Sequence, residues 1–317
     1  MKTPVLLILY KRAATTRRVF EGIREARPAR LYIAGNAPAS NDEQELASVQ
    51  AARAIAEEVD WPCEVKTLFR TEHLRAKESI TSSISWFLRE EPEGIILEDD
   101  CVVSGDFFGF ASAMLERYRD DERVFQISAS NFQDGNRRGD GDYYFSRYNH
   151  IWGWATWARA WRHADVDLRK LDVKQFEELA RKMIPRVLPR EYWMTMFRYI
   201  RSGKVDTYDY QWMVSMWLQD GMSIIPNANL VTNIGFGDAA TNTTAKSNPW
   251  ANMAPEPLSG PWRAPSHREV NAEADRYTLD MFFGEGRPWW FNVLRLKAVS
   301  MMTPEFRRAL KKRMAGK

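Results

Sequence analysis

Short apolar runs and segments with helical periodicity alternate along the first 127 residues, and this alternation constrains the fold most strongly. Runs rich in β-branched residues predict strands, and apolar residues at helical spacing predict helices between them. Such alternation is typical of a mostly parallel sheet with right-handed crossovers and helices on both faces. The predicted elements are strands at 5–10, 31–34, 64–69, 95–97 and 124–127, and helices at 16–26, 42–59, 79–89 and 107–118.

The second half of the chain is less regular. Gly-rich residues 135–142 predict a mobile loop, and residues 239–268, rich in Pro, Asn and Ser, predict an irregular one. The elements predicted between and around these loops are helices at 152–161, 176–184, 191–200 and 209–218, and short strands at 223–225 and 230–232.

Composition excludes several classes of protein. The chain of 317 residues is 44% hydrophobic and 27% charged, as in ordinary globular proteins, and a net charge of +3 does not indicate nucleic acid as a partner. No stretch approaches the roughly twenty apolar residues that span a bilayer, and residues 1–10 predict a first strand rather than a signal peptide. Cys63 and Cys101 lie in predicted strands, so we expect buried thiols in a reducing, cytoplasmic compartment.

Three consecutive carboxylates, Glu98, Asp99 and Asp100, follow the apolar run at 95–97. At the end of a buried strand these acids repel one another, and desolvation adds to the cost of keeping them ionised. A divalent cation such as Mn²⁺ or Mg²⁺, which prefers hard oxygen ligands, would offset that repulsion. A solvated turn is the alternative, because Asp106 can cap the following helix unaided.

Basic and polar side chains follow other predicted strands. Ligands of such sheets bind beyond the carboxyl ends of the strands, where we expect Arg12 and Asn36. No Gly-rich phosphate loop follows the first strand, so the phosphates of a bound nucleotide would need a metal and basic side chains. Arg12, Lys77 and Arg75 could supply that charge or be solvated surface groups, and Asn36 could read the base.

Five segments, in order, make the chain resemble the GT-A glycosyltransferases, in particular the N-acetylglucosaminyltransferase I family and bacterial nucleotide-diphospho-sugar transferases. They are the first strand with its Arg, the acidic triplet with its following helix, a Gly-Trp segment, the segment of the catalytic carboxylate and a Gly-Phe-Gly segment: 4–12, 98–108, 151–157, 208–212 and 233–237. The resemblance implies an α/β fold of GT-A type, with a mostly parallel nucleotide-binding sheet flanked by helices and with helical and irregular acceptor-side segments.

The resemblance assigns roles to the acidic triplet. In that family the last acid contacts the metal, which makes Asp100 the ligand of Mn²⁺ or Mg²⁺ together with the two phosphates of the donor. Glu98 and Asp99 would then touch the ribose or the ligand shell of the metal. The metal would stabilise the negative charge that grows on the departing diphosphate.

The resemblance also implies a catalytic base and an acceptor pocket. Asp209, at the start of a predicted helix, would take the proton of the attacking hydroxyl in an inverting transfer. It could also cap that helix, and Asp206 is the second candidate for the base. Trp152, Gly153 and Trp154 would line the sugar or acceptor pocket, with Gly153 allowing close backbone approach, although core packing explains the Trp rings equally well.

Two features nearer the C-terminus bear on this hypothesis. Asn242 stands where the bacterial relatives usually carry a His, so we expect weaker metal binding unless His267 substitutes for it. Residues 305–317 are basic and could lie on an anionic membrane surface, where lipid-linked acceptors reside, or form a solvated helix face.

The hypothesis from the sequence is a cytoplasmic, metal-dependent, inverting glycosyltransferase. It would move a sugar from a nucleoside-diphosphate donor, with UDP favoured, to a hydroxyl of a bacterial surface glycan or lipid-linked glycan, with peripheral contact to the inner membrane face. We expect a domain over 1–245, with a nucleotide-sugar half at 1–130 and an acceptor half at 131–245, and a C-terminal extension at 246–317. The alternatives are a sugar-phosphate nucleotidyltransferase, whose Gly-rich basic loop residues 11–18 do not supply, and an inactive glycan-binding protein.

Overall fold

A computed structural model describes residues 1–236, 250 and 253–283 of the chain. The chain divides into two compact units, one of Met1–Val166 with Thr207–Asp275 and the other of Asp167–Asp206 with the chain from Arg276 onward. The predicted division at residue 245 stays a prediction. Asn242 and the basic segment 305–317 lie outside the described residues.

Ten strands are present in the described residues. Every strand predicted from the sequence occurs, and three short strands were not predicted: β5 after the acidic triplet, β7 after the Gly-rich loop, and β8 within the segment predicted as a helix at 152–161. The strands are β1 (Val5–Leu9), β2 (Arg30–Gly35), β3 (Glu64–Phe69), β4 (Glu93–Glu98), β5 (Cys101–Val103), β6 (Val124–Ser128), β7 (Tyr143–Ser146), β8 (Trp154–Trp157), β9 (Met222–Pro226) and β10 (Val231–Asn233).

Nine helices occur in the same part of the chain, and α9 was not predicted. Asp42 begins α2 by accepting a hydrogen bond from the Glu45 amide, and a 3₁₀ turn at Ala54–Glu58 continues it. The helices are α1 (Ala13–Ala26), α2 (Glu43–Arg53), α3 (Ala76–Glu90), α4 (Gly105–Arg117), α5 (Ala158–Trp161), α6 (Val173–Met183), α7 (Val187–Arg201), α8 (Asp209–Leu218) and α9 (Ala272–Phe283).

The main sheet has eight strands in the order β3-β2-β1-β4-β8-β6-β9-β7. Strands β3, β2, β1 and β4 run parallel, and β6 is parallel to β9. Strand β8 is antiparallel to both of its neighbours, and β7 is antiparallel to β9. A small second sheet pairs β5 with β10. The predicted fold class, α/β with a large, mostly parallel sheet flanked by helices, is confirmed.

The segment predicted as a helix at 152–161 is instead strand β8 followed by the single turn α5. Side chains of β8 alternate between two cores: Trp154 packs on one face of the sheet, and Ala155 and Trp157 pack on the other. Because both faces are buried, large apolar residues occur on both, and the period of two is hidden in the sequence. The helix prediction was therefore wrong over 154–157.

The two faces of the sheet bury separate apolar cores. Along β1, Val5, Leu7 and Leu9 face the core that includes α1 and α4, while Leu6 and Ile8 face the core that includes α3, α5 and α8. Burying each such aliphatic side chain stabilises the fold by about 1.5–3 kcal/mol. The sheet is thus held rigidly from both sides, which fixes the positions of its strand ends.

The second unit contains α6 and α7. Asp172 and Gln175 form a reciprocal capping box at the start of α6, and the Phe176 and Phe197 rings stack with centroids 4.1 Å apart. No helix among the described residues combines the length and apolar character needed to cross a membrane.

Polar contacts hold the loop at 135–142, which was predicted to be mobile. Arg138 donates its Nε to Gln133 Oε1 at 2.8 Å and its backbone amide to Asn227 Oδ1 at 2.8 Å. Asn227 Nδ2 in turn donates to the carbonyls of Arg138 and Gly141. These buried bonds between loop and sheet were not visible in the sequence.

Candidate functional site

The acidic triplet lies at the edge of the sheet where β1, β2 and β4 end. Glu98 is the last residue of β4 and pairs with Ile8, while Gly35 at the end of β2 pairs with Leu9. Asp99 and Asp100 form the turn that leads to β5. Parallel strands bring their carboxyl ends to one edge, which is where ligands of open α/β sheets bind.

Asp99 is buried and held by the end of β1. Its carboxylate accepts a hydrogen bond from Arg12 Nη2 and another, at 3.2 Å, from the Tyr10 backbone amide. The guanidinium thus balances a charge that would otherwise be buried unpaired. In this conformation Asp99 contacts β1 rather than facing a ribose, so its predicted ligand contact stays a prediction.

Asp100 remains partly open to solvent between Arg12 and a glycine. Its Oδ2 accepts a hydrogen bond from Arg12 Nη2 at 2.9 Å, and its Oδ1 accepts one from the Cys101 thiol at 3.4 Å. Its backbone carbonyl accepts from the Ile234 amide at 2.9 Å. A Cβ at Gly235 would lie 2.1 Å from Oδ2, so only a glycine fits beside this oxygen.

Glu98 is tied to the helix that begins at Asp209. Its Oε1 accepts a hydrogen bond from the Tyr208 hydroxyl at 3.0 Å. Desolvation and the nearby charge of Asp100 raise the pKa of Glu98 to about 8, and the hydrogen bond from Tyr208 opposes that rise. No pattern in the sequence connects these two residues, which are far apart in the chain.

Asp209 is the first residue of α8, and Tyr208 occupies the N-cap position. The Asp209 carboxylate accepts a hydrogen bond from the Thr207 hydroxyl, and its backbone carbonyl accepts one from Asn149 Nδ2 at 3.2 Å. Desolvation raises the pKa of Asp209 above its ordinary value, against the bond from Thr207. A carboxylate with a raised pKa is a stronger base, as proton abstraction requires.

The Gly-Trp segment lies beside the triplet, but its two Trp rings differ. Gly153 has a φ of +67°, and a Cβ there would lie 2.7 Å from Val103 Cγ1, so the glycine allows close packing against β5. Trp152 is half-buried, with its ring 5.5 Å from that of Phe236. Trp154 is 0% exposed and packs within the core, so core packing accounts for its position.

Asn36 and Lys77 have structural contacts of their own. Asn36 Oδ1 accepts from the amides of Ala37 and Leu74, and Nδ2 donates to the Leu74 carbonyl at 2.8 Å. These bonds hold the segment after β3 against the end of β2. Lys77 lies in the first turn of α3 and its carbonyl accepts from Thr81. The binding roles predicted for both residues stay predictions.

Two residues at this site escaped the sequence analysis: Tyr208, through its bond to Glu98, and Gly235, through its approach to Asp100. Both stand inside segments that were quoted for the resemblance, which was the available signal. Their partners depend on the packing of α8 and on the β5–β10 pairing, which local patterns do not encode.

The side chains at this site suit a metal ion that takes a single ligand from the protein. Within residues 1–236, 250 and 253–283, no group of three or more His, Cys, Asp and Glu side chains could by itself hold a metal. Asp100, however, presents a carboxylate that is partly open to solvent, and carboxylate plus phosphate oxygens are the ligands that Mg²⁺ and Mn²⁺ prefer. Asp100 is thus the residue that would hold such an ion, beside Arg12.

No protein-family model and no curated protein matches this sequence. Among solved structures, it is similar to mouse xyloside xylosyltransferase 1, with 12% identity, a TM-score of 0.38 and coverage of 70% of this chain and 84% of that one. A UDP-glucose pyrophosphorylase bound to UDP-glucose has 8% identity, a TM-score of 0.35 and coverage of 71% and 90%. The glycosyltransferase GlyE of Streptococcus pneumoniae has 9% identity, a TM-score of 0.32 and coverage of 70% and 45%. Similarities this low carry no argument about activity.

Proposed function

We propose that this protein is a metal-dependent, inverting glycosyltransferase. It transfers a sugar from a nucleoside-diphosphate donor, with UDP the favoured nucleotide, to a hydroxyl of a surface glycan or a lipid-linked glycan. The reaction is expected in the bacterial cytoplasm, with the acceptor at the inner membrane face.

One observation carries this proposal: a partly exposed carboxylate and a partly exposed guanidinium meet at the ligand-binding edge of the sheet. Arg12 Nη2 lies 2.9 Å from Asp100 Oδ2 there, beside Gly235. A carboxylate next to a cation and an open backbone suits a diphosphate and its counter-ion better than it suits an apolar ligand. The second carboxylate that such a transfer needs is supplied by Asp209.

Each residue has a defined part in the proposed reaction. Asp100 holds the metal, which when bound supplies a Lewis acid for the diphosphate, and Arg12 adds positive charge at the same place. Asp209 takes the proton of the acceptor hydroxyl as its oxygen bonds to the anomeric carbon. The bond from that carbon to the diphosphate oxygen breaks, and the diphosphate leaves with the bonding electron pair.

Sugar nucleotidyl transfer is less well supported by the local geometry. That reaction calls for a Gly-rich basic loop after the first strand, whereas here β1 ends at Leu9 and α1 begins at Ala13. Arg12 is the N-cap residue of α1, so no extended phosphate loop exists at this place.

Calorimetry tests the donor and metal part of the proposal. UDP should bind in the presence of MnCl₂, and EDTA should abolish the binding. Asp100→Ala should weaken it at least tenfold, which corresponds to about 1.4 kcal/mol. Equal binding with and without metal, or no effect of Asp100→Ala, would contradict the assigned metal ligand. A panel of other nucleoside diphosphates identifies the base if UDP does not bind.

Donor hydrolysis tests the base. We expect wild-type protein to hydrolyse its nucleotide sugar slowly, and Asp209→Asn to lower that rate about 10²–10⁴-fold while leaving donor affinity near normal. Asp206→Asn serves as the comparison, since Asp206 is the second candidate. Normal turnover in Asp209→Asn rules out Asp209 as the base, and loss in Asp206→Asn alone transfers the role. A wild type that binds glycan but never turns over donor would support the inactive binding protein instead.

A further inference from the structure

A partly buried hydrogen bond joins the strand that leads to Asp100 with the helix that begins at Asp209. The Tyr208 hydroxyl donates to Glu98 Oε1 at 3.0 Å. Tyr208 is 3% exposed, and its ring belongs to the core on the α8 face of the sheet. Tyr208 is therefore held by packing along its length and by one polar bond at its tip.

The two ends of this bond lie next to the proposed chemistry in sequence. Glu98 ends β4, two residues before Asp100, and is fixed in register by its pairing with Ile8. Tyr208 is the N-cap residue of α8 and directly precedes Asp209. Any rotation of Tyr208 about its backbone would move the first turn of α8, because the Trp212 amide donates to the Tyr208 carbonyl at 2.9 Å.

We propose that Tyr208 is a positioning residue whose hydroxyl, through Glu98, fixes Asp209 relative to Asp100. This inference rests on the proposed function and goes beyond it, because it gives Glu98 a structural acceptor role in place of a ligand contact. A base must lie within hydrogen-bond reach of the attacking hydroxyl, and a displacement of about 1 Å can cost a factor of about 10² in rate. The bond thus acts on turnover rather than on donor binding.

Other contacts of the segment leave this role to Tyr208. The Thr207 hydroxyl bonds to Asp209 from within the same segment, so it moves with the base and does not anchor it. Asn149 bonds to the Asp209 backbone but belongs to the segment between β7 and β8, not to the strand that leads to the triplet. Only the Tyr208–Glu98 bond, among those that the structure describes for Tyr208 and Asp209 side chains, reaches the strand of the triplet.

The central variant is Tyr208→Phe, which removes one oxygen and keeps the ring. Turnover of the donor should fall at least tenfold, and the donor dissociation constant should change less than threefold. Hydrogen exchange of the amides in the first turn of α8 should accelerate, which is a readout independent of activity.

Tyr32→Phe is the matched control. Tyr32 is 1% exposed and its hydroxyl donates to Glu91 Oε1 at 2.8 Å, so the same substitution removes the same kind of buried Tyr–Glu bond. Tyr32 lies in β2 and Glu91 just before β4, at the opposite end of that strand from Glu98. The control should lose comparable stability and keep its turnover.

Substitutions at Glu98 separate its acceptor role from its charge. Glu98→Gln keeps an oxygen that can accept from Tyr208, so its turnover should be clearly higher than that of Glu98→Met. Glu98→Met keeps the length of the side chain without an acceptor and should match Tyr208→Phe. The double variant Tyr208→Phe/Glu98→Met should be no slower than either single variant, because both remove one interaction.

Several outcomes overturn the inference while the proposed function stands. In each of them the wild type turns over donor. The first is normal turnover or unchanged hydrogen exchange in Tyr208→Phe. The others are an equal loss of turnover in Tyr32→Phe and an equal loss of turnover in Glu98→Gln and Glu98→Met. A wild type that neither binds nor hydrolyses any nucleotide sugar overturns the proposed function itself, and the inference with it. Higher turnover in Glu98→Gln than in Tyr208→Phe and Glu98→Met supports the positioning role.

Discussion

Single residues show how far residue type alone defines this site. The acidic triplet predicted a site for a cation or a solvated turn, the family resemblance singled out Asp100 as the ligand, and the parallel-strand pattern predicted Arg12 at the same edge of the sheet. The close approach of Gly235 to Asp100 was beyond prediction, because it depends on the pairing of β10 with β5. Residue types are local, whereas the space around a carboxylate is decided by chain segments far away in sequence.

Gly235→Ala is the prediction at this scale. The new Cβ would lie 2.1 Å from Asp100 Oδ2, far inside contact distance, so the carboxylate or the 234–236 segment must move. We expect at least tenfold weaker binding of UDP with Mn²⁺, measured by calorimetry, because the displaced oxygen no longer meets the ion and the diphosphate together.

Gly105→Ala is its control. Gly105 begins α4 after the triplet, and a Cβ there meets nothing within 4 Å. The control should bind UDP and Mn²⁺ as the wild type does. Unchanged affinity in Gly235→Ala would mean that Asp100 Oδ2 does not need the open space beside it.

At the scale of elements, buried polar side chains decide how helices attach to the sheet. Gln126, in β6, is 0% exposed and bridges two partners: it donates to the His150 carbonyl at 2.7 Å and accepts from Trp212 Nε1 at 2.7 Å. Helix α8 is thus fixed to the sheet by polar contacts as well as by its apolar face. A Gln among the apolar residues of the predicted strand 124–127 was the sequence signal of this bridge.

Gln126→Leu should destabilise the protein by about 2–4 kcal/mol. The substitution leaves the Trp212 indole N–H buried without its acceptor, and an unpaired buried polar group costs about 1–3 kcal/mol, to which the lost bond to His150 adds. Urea unfolding at pH 7 and 25 °C measures the change.

Ser223→Ala provides the contrast for this experiment. Ser223 pairs with Gln126 across β9 and β6 and is also 0% exposed, but its hydroxyl has no hydrogen-bond partner among the residues that the structure describes. Removing that hydroxyl leaves no other group without its hydrogen-bond partner, so the free energy of unfolding should stay within about 1 kcal/mol of the wild-type value or rise. Equal losses in the two variants would show that the Gln126 bridge contributes nothing specific.

At the scale of the whole molecule, stability depends on pH through groups buried in the folded state. His150 is buried, with its ring 4.7 Å from that of Phe132, and desolvation lowers the pKa of His150 from 6.5 to about 3. The unfolded chain therefore takes up the proton first as the pH falls. Burial of the neutral His150 therefore leaves the free energy of unfolding at its full value above pH 6.5 and lowers it progressively as the pH falls from 6.5 to 3.

His150→Gln should remove this part of the pH dependence. Between pH 7 and pH 5 the loss of unfolding free energy should be smaller in the variant than in the wild type by about 2 kcal/mol. Urea unfolding at the two pH values measures it. The comparison must be made between the two proteins, because groups such as Asp275, whose pKa desolvation raises to about 6, shift stability in the opposite direction. Parallel pH profiles would show that His150 is not buried in its neutral form.

The sequence by itself determined the α/β class, most element positions in the first half, the bounds of α8 and β3, and the acids and Arg12 at the ends of β4 and β1. These follow from periodicity, turn residues and the rule that parallel strands end together, all of which are local or nearly so. Only the tertiary structure decided that Trp154–Trp157 is a central antiparallel strand, that Gly235 leaves Asp100 open and that Tyr208 reaches Glu98. Each of these depends on contacts between segments distant in sequence. For the central strand, burial on both faces of the sheet also hides the alternation of apolar and polar residues that predicts a strand.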